Sequence, residues 1–266
     1  MNDMHGIIFA YSSDQRMKEL TEHRTVSSIP FGARYRVIDF VLSSMVNAGI
    51  SDIGVIMHEN YQSLLDHLGP GKDWDLDRKR GGLRILPPFG LTTTGGRNTS
   101  YRGRMEALGS VLSYIKQSVR QKYIVMADGD IIANIDLEAV LDKHIASGAD
   151  ITAVYSRHSG ENPSESTYFR FDGDGMVCDV VTSPDEPQGN SSLGVYLISK
   201  SLLLELIADC VSHNLFSFDR DVLQKRHGEL KIAGYEQTGF AVRMQSTVSY
   251  FRQSMKLLEK GVRSDL

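Results

Sequence analysis

Gly6-Ile7-Ile8-Phe9-Ala10-Tyr11-Ser12-Ser13-Asp14-Gln15-Arg16 is an apolar run that breaks into a polar turn and then a helix-like stretch. Ile7 to Ala10 has the composition of a buried strand. In doubly wound α/β proteins, this first strand-to-helix turn is where nucleotide phosphates are held by backbone N–H groups and a helix N-terminus. Such turns carry glycines so that the backbone can come close to the phosphates. Here there is none between Gly6 and Gly32. The chain is laid out for a nucleotide cradle whose floor is missing.

Outward from that turn, strands and helices alternate. Val37, Ile38, Val41, Leu42, Met45 and Val46 recur at helical spacing from Arg36 to Ala48, and Asn47-Ala48-Gly49 is a helix stop. Ile53 to Met57 reads as a second strand, parallel to the first by the βαβ rule. Tyr61 to Leu68 reads as a short helix, Arg104 to Val119 as an amphipathic helix and Tyr123 to Ala127 as a buried strand. Leu137 to Ser147 predicts a helix and Asp150 to Tyr155 a strand. The alternation implies a largely parallel sheet with helices on both faces. Beyond Arg157 the pattern changes to a hairpin, with Tyr168–Phe171 and Met176–Val181 around Asp172-Gly173-Asp174-Gly175. A strand at Gly194–Ile198, a helix at Lys200–Ala208, strand-like pieces at 230–235 and 240–244 and a last helix at 247–260 follow. The segment Gly71 to Gly103 reads as one long polar loop. The expectation is a single domain with a mixed sheet.

The balance of residues narrows the function classes. A chain of 266 residues, 41% hydrophobic, can bury a full core. Its net charge of −4 does not favour nucleic acid. No apolar run nears the about 18 residues of a membrane span. The start, Met-Asn-Asp-Met-His-Gly, lacks the basic and apolar parts of a signal peptide. Cys178 and Cys210 fit no metal or redox spacing, and a reducing cytoplasm is the expected setting.

Few residues declare chemistry by themselves. Asp128 and Asp130 follow a buried strand, where open α/β sheets bind ligands, and one could hold Mg²⁺. The simpler reading of Asp128-Gly129-Asp130 is a turn with a helix-capping acid. Asp73, Asp75 and Asp77 alternate like a calcium loop, but Arg78 and Arg84 stand where Gly and Glu belong. Arg34 and Arg36 suit either a small anion or an ordinary solvated surface. The histidines show no helical metal pair, and neither a nucleophile elbow nor a Walker loop is present.

Longer stretches carry a resemblance. Leu-Thr-Glu-His-Arg and Ile-Pro-Phe-Gly-Ala-Arg-Tyr-Arg-Val-Ile-Asp-Phe within 20–50, Asp-Trp-Asp-Leu-Asp-Arg-Lys-Arg-Gly-Gly-Leu-Arg-Ile-Leu-Pro-Pro at 73–88 and Ser-Tyr-Arg-Gly-Arg-Met-Glu-Ala-Leu at 100–108 are the first three. Gly-Asp-Ile-Ile-Ala-Asn-Ile-Asp at 129–136 and Ser-Leu-Gly-Val-Tyr-Leu-Ile at 192–198 extend them. Together they resemble the ADP-glucose pyrophosphorylases (glucose-1-phosphate adenylyltransferases) over nearly the whole chain. The resemblance implies a Rossmann-like nucleotidyltransferase fold with a mixed, mostly parallel sheet flanked by helices. It also implies a reaction in which ATP and glucose 1-phosphate give ADP-glucose and pyrophosphate with Mg²⁺, for glycogen synthesis.

Carried over residue by residue, it implies Asp130 as a retained metal aspartate and Arg16 as a surviving phosphate ligand. Tyr101, Gly103 and Gly194 would be substrate-binding. Other matched positions have lost their chemistry: Ser13 replaces a triphosphate arginine, Val26 a basic residue, Ser183 a sugar-phosphate lysine and Met244 the second metal aspartate. Asp14 adds negative charge where polyphosphate would lie. Residues 1–260 correspond to the family's nucleotidyltransferase domain, and 261–266 to the start of a linker toward a C-terminal β-helix. The pattern resembles the family's non-catalytic, GlgD-type regulatory subunits, which assemble with a catalytic subunit in a hetero-oligomer. Nucleic-acid and membrane partners are not expected. Two other readings are an active transferase using Asp130, Arg16 and Arg104, and a sugar-phosphate or nucleotide sensor using Arg34, Arg36 and Arg78–Arg80.

Overall fold

The computed structural model describes residues 3–11, 15–87, 101–157 and 166–266. Strand β1 (Met4–Phe9) is buried along its whole length, as expected of a strand covered on both faces. It lies between β4 (Asp52–Ile56) and β6 (Tyr123–Asp128), parallel to both. The intervening β2 (Pro30–Phe31) and β3 (Tyr35–Arg36) form a small antiparallel pair. Helix α1 (Val37–Asn47) starts where the Asp39 carboxylate accepts the Arg36 N–H at 2.8 Å. Helix α2 is Gln62–Leu68.

The expected long loop contains a strand. β5 (Gly82–Leu86) extends the sheet parallel to β4, pairing Val55 with Ile85. Leu83 and Ile85 pack on the core beside charged neighbours, and that short, interrupted alternation hides the strand in the sequence. The expected helix from Arg104 to Val119 is broken into α3 (Arg104–Ser110) and α4 (Leu112–Gln117). The break falls after Gly109-Ser110. Ser110 Oγ donates back to the Ala107 carbonyl at 2.7 Å, a bond that competes with the helix ladder.

Strand β7 (Ile131–Ala133) leaves the Asp-Gly-Asp turn. Then come α5 (Leu137–Ser147), capped by Asp136 at 2.9 Å from the Ala139 nitrogen, and β8 (Ile151–Ser156). β9 (Thr167–Phe171) and β10 (Val177–Thr182) make the expected hairpin. β11 (Asn190–Ser199) runs antiparallel between β6 and β8. α6 (Lys200–Ser212) follows, and Phe218–Gln224 is a wide π-helical turn. β12 (Ile232–Glu236) lies parallel on β8, while β13 (Ala241–Arg243) pairs with β7 away from the main sheet. The expected final helix is divided into α7 (Thr247–Lys256) and α8 (Lys260–Ser264). Leu257 and Leu266 pack on the domain.

This is a mixed, mostly parallel sheet flanked by helices, consistent with a Rossmann-like nucleotidyltransferase fold. Alternation along β1 divides the core. Ile7 and Phe9 face α3, α4 and α6, through Met105, Leu108, Ile115 and Leu206. Ile8 faces α1, α2 and α5, through Leu42, Leu64 and Val140. A smaller cluster joins Met17, Val26, Phe31, Ile132, Val242 and Met244.

Candidate functional site

At the C-terminal end of β1 and β6 a cavity of about 210 Å³ opens. Phe9, Tyr11, Gly103, Arg104, Asp128, Asp130, Phe218, Asp219 and Arg243 line it. Four separate pieces of backbone deliver the charged groups. β6 ends in Asp128, and the turn after it carries Asp130. The first residue of α3 is Arg104, and the π-helical turn, capped by Ser217, presents Asp219. The β7–β13 ladder sets Arg243 opposite Ile131, one residue from Asp130, and the Met244 N–H donates to the Asp130 carbonyl at 2.8 Å.

These side chains form an alternating chain of charges. Tyr196 donates to Asp219 Oδ1 at 2.6 Å. Asp219 pairs with Arg104 Nη1, and Arg104 Nε and Nη2 take Asp128 as a fork, with Nε at 2.9 Å from Oδ1. Arg243 Nη2 then lies 2.7 Å from Asp128 Oδ2 and 2.9 and 3.2 Å from the two oxygens of Asp130.

Burial alone would push the Asp128 carboxyl up, but Arg104 and Arg243 together hold it below the usual carboxylate range. Burial also acts on Asp130, and with the Asp128 charge beside it this carboxyl is raised despite Arg243. Both guanidinium groups are held above their ordinary value by the acids, against the effect of burial. The Tyr11 and Tyr196 hydroxyls are pushed up mainly by burial, and so stay protonated.

The Nucleotidyl transferase family profile matches residues 5–260. The chain belongs to the nucleotidyl transferase family. The glycogen biosynthesis protein GlgD of Geobacillus stearothermophilus is 39% identical over 261 residues, covering 98% of this chain and 65% of that protein. A glucose-1-phosphate adenylyltransferase of Thermomicrobium roseum is 32% identical over 264 residues, covering 97% and 60%. The GlgD protein of Bacillus subtilis is 31% identical over 258 residues, covering 97% and 64%. The chain thus spans under two thirds of the length of these curated relatives.

Within this nucleotidyl transferase fold the expected residues part company. Asp130 and Gly103 line the cavity, whereas Arg16, Tyr101 and Gly194 do not. The Arg16 carbonyl accepts the Thr247 hydroxyl at 3.1 Å. Tyr101 shares a 3.0 Å hydrogen bond with Ser110, and its ring packs edge-on against Tyr11, centroids 5.1 Å apart. Gly103 meets the Phe216 backbone so closely that a Cβ would sit 2.3 Å from its carbonyl oxygen. Ser183 is exposed, with φ of 53°, and its N–H donates to the Ser166 carbonyl at 2.9 Å. Ser13 and Asp14 lie outside the described residues.

Val26 and Met244 are both buried in the small apolar cluster. The side chain that reaches Asp130 is Arg243, one residue before the position matched to a metal aspartate. Alternation carried that information: with Val242 and Met244 in the apolar cluster, Arg243 must face the other way. Asp219 and Tyr196 gave no comparable signal. Arg36, weighed as an anion ligand, donates to the Ser63 carbonyl and hydroxyl, both at 2.7 Å.

Mg²⁺, the ion that the family resemblance implies, does not fit this arrangement. Both oxygens of Asp128 and both of Asp130 already accept guanidinium N–H groups. A divalent ion needs those oxygens and would meet a fixed positive charge. Among the described residues, no group of three or more His, Cys, Asp or Glu converges as a metal site.

Proposed function

We propose that this chain is the nucleotidyltransferase-like part of a regulatory, non-catalytic subunit of glucose-1-phosphate adenylyltransferase, acting in glycogen biosynthesis. Its partner is the catalytic subunit, in a hetero-oligomer. The observation that carries the reading is the covering of Asp128 and Asp130 by Arg104 and Arg243. Transfer of a nucleotidyl group depends on positive charge placed on the triphosphate, and here two guanidinium groups are spent on protein carboxylates. The cavity also falls below the about 300–1,000 Å³ usual for small-molecule sites. Two relatives named for glycogen biosynthesis, at 39% and 31% identity, support the same branch. A cytoplasmic setting suits Cys178 and Cys210, which are both free thiols.

The test is co-purification with a catalytic glucose-1-phosphate adenylyltransferase subunit, followed by assays of each protein alone and of the pair. The expected result is a stable complex whose rate or effector response differs from that of the catalytic subunit alone. Synthesis of ADP-glucose by this chain alone, at a rate matching the catalytic subunit, would overturn the reading.

A further inference from the structure

A single nitrogen, Arg243 Nη2, stands within 2.7 to 3.2 Å of three oxygens from two carboxylates. It carries only two hydrogens, so at least one is shared between oxygens. Bridging two acids from one point is how a divalent cation is held, rather than how a guanidinium makes its usual parallel fork. The arginine accepts a cost to be there: its Nε is buried and has no hydrogen-bond partner among the described residues. Backbone geometry fixes the placement. Arg243 is the last residue of β13, paired with Ile131, and the Met244 N–H bonds the Asp130 carbonyl. On the far side of Asp128, Arg104 is held in turn by Asp219. The side chain is therefore clamped from both ends of the charge chain.

We propose that Arg243 is a built-in counter-cation, and that its guanidinium keeps the Asp128–Asp130 pair closed to divalent metal until that group is removed. The inference rests on these contacts alone and stands whether or not the chain serves as a regulatory subunit. A guanidinium does not lose its proton in a protein, so no change of pH in the working range opens the site. The opposing possibility is that Arg243 swings aside when a metal arrives.

Mn²⁺ titrations followed by calorimetry and by the electron paramagnetic resonance of the free ion separate the two, with melting curves to confirm folding. The proteins are the wild type, Arg243→Met, Arg243→Lys, Asp130→Asn and the double variant Arg243→Met/Asp130→Asn. Methionine fills much of the arginine volume without charge, and lysine keeps the charge. The expected result is no saturable Mn²⁺ binding by wild type or Arg243→Lys. Arg243→Met should gain one site, at least roughly tenfold tighter than any binding by wild type, and lose it again in the double variant. Saturable binding by wild type that Asp130→Asn abolishes would overturn the proposal. So would a folded Arg243→Met that gains nothing, or an Arg243→Lys that gains as much. If Arg243→Met fails to fold, the wild-type and lysine titrations still decide.

Discussion

Gly194 lies so near Asp128 that a Cβ built on it would sit 2.5 Å from the carboxylate Oδ2 and 3.2 Å from Arg104 Nη2. Its φ of 70° is also one that side chains rarely adopt. The β11 register shifts at this point, between Ser192 and Val195. Gly194→Ala should therefore cost about 2–4 kcal/mol, from backbone strain and a displaced ion pair. Urea denaturation measures it, and a change within experimental error would show that the carboxylate has room to move.

Arg104 and Asp219 are mostly buried, with side chains 12% and 21% exposed, and both are held by further partners. A double-mutant cycle on this pair should give a coupling of about 2–3 kcal/mol. The Arg78–Asp75 pair, 44% and 86% exposed, should give under about 0.5 kcal/mol. Equal couplings would remove the energetic distinction between the charge chain and the surface.

Val26 and Met244 are each only 1% exposed, within the same apolar cluster. Charge placed there has no partner to meet it. Val26→Lys and Met244→Asp should each lower stability by at least about 3 kcal/mol, and neither should bring ADP-glucose synthesis. Thermal melts and a synthesis assay on the purified variants check both halves.

His144 is buried against Thr152 and Tyr123, with its Nδ1 2.9 Å from the Thr152 hydroxyl. Burial lowers its pKa, with Lys122 adding to the effect and Asp150 opposing it. The unfolded chain then takes up the proton first, near the ordinary value of about 6.5. The stabilisation is full above that value and declines as pH falls, until the folded imidazole also protonates. His144→Gln should flatten the slope of stability against pH below about pH 6.5, where the unfolded imidazole takes up its proton. Urea midpoints across that range test it, and an unchanged slope would assign the pH dependence elsewhere.

How much of this could be seen beforehand differs by level. Ile7 to Ala10, Leu137 to Ser147 and the Asp172–Gly175 hairpin were legible because hydrophobic period and turn chemistry agree there. Strand β5 was not, since its five residues lie among charges and gain their strand character from β4. The break after Gly109-Ser110 interrupts a helix that periodicity alone would continue. Asp130 could be placed at the site from its strand-end position. Asp219 could not, because its meeting with Arg104 spans 115 residues of chain and depends on a π-helical turn. Arg243 fell between: the alternation was readable, but the β7 partner that aims it was not.

The charge chain draws on Arg104, Asp128, Asp130, Asp219 and Arg243, so its final member enters with the last strand, β13. A ribosome adds about 5–20 residues per second, and every shorter nascent chain lacks this closure. Until then Asp130 emerges without its guanidinium, and the earlier strands must assemble around an unneutralised acid. Electrostatic closure of the cavity therefore waits for β13. An intact Arg243–Asp130 contact reports that β13 has docked on β7, joining the late strands to the turn that follows β6.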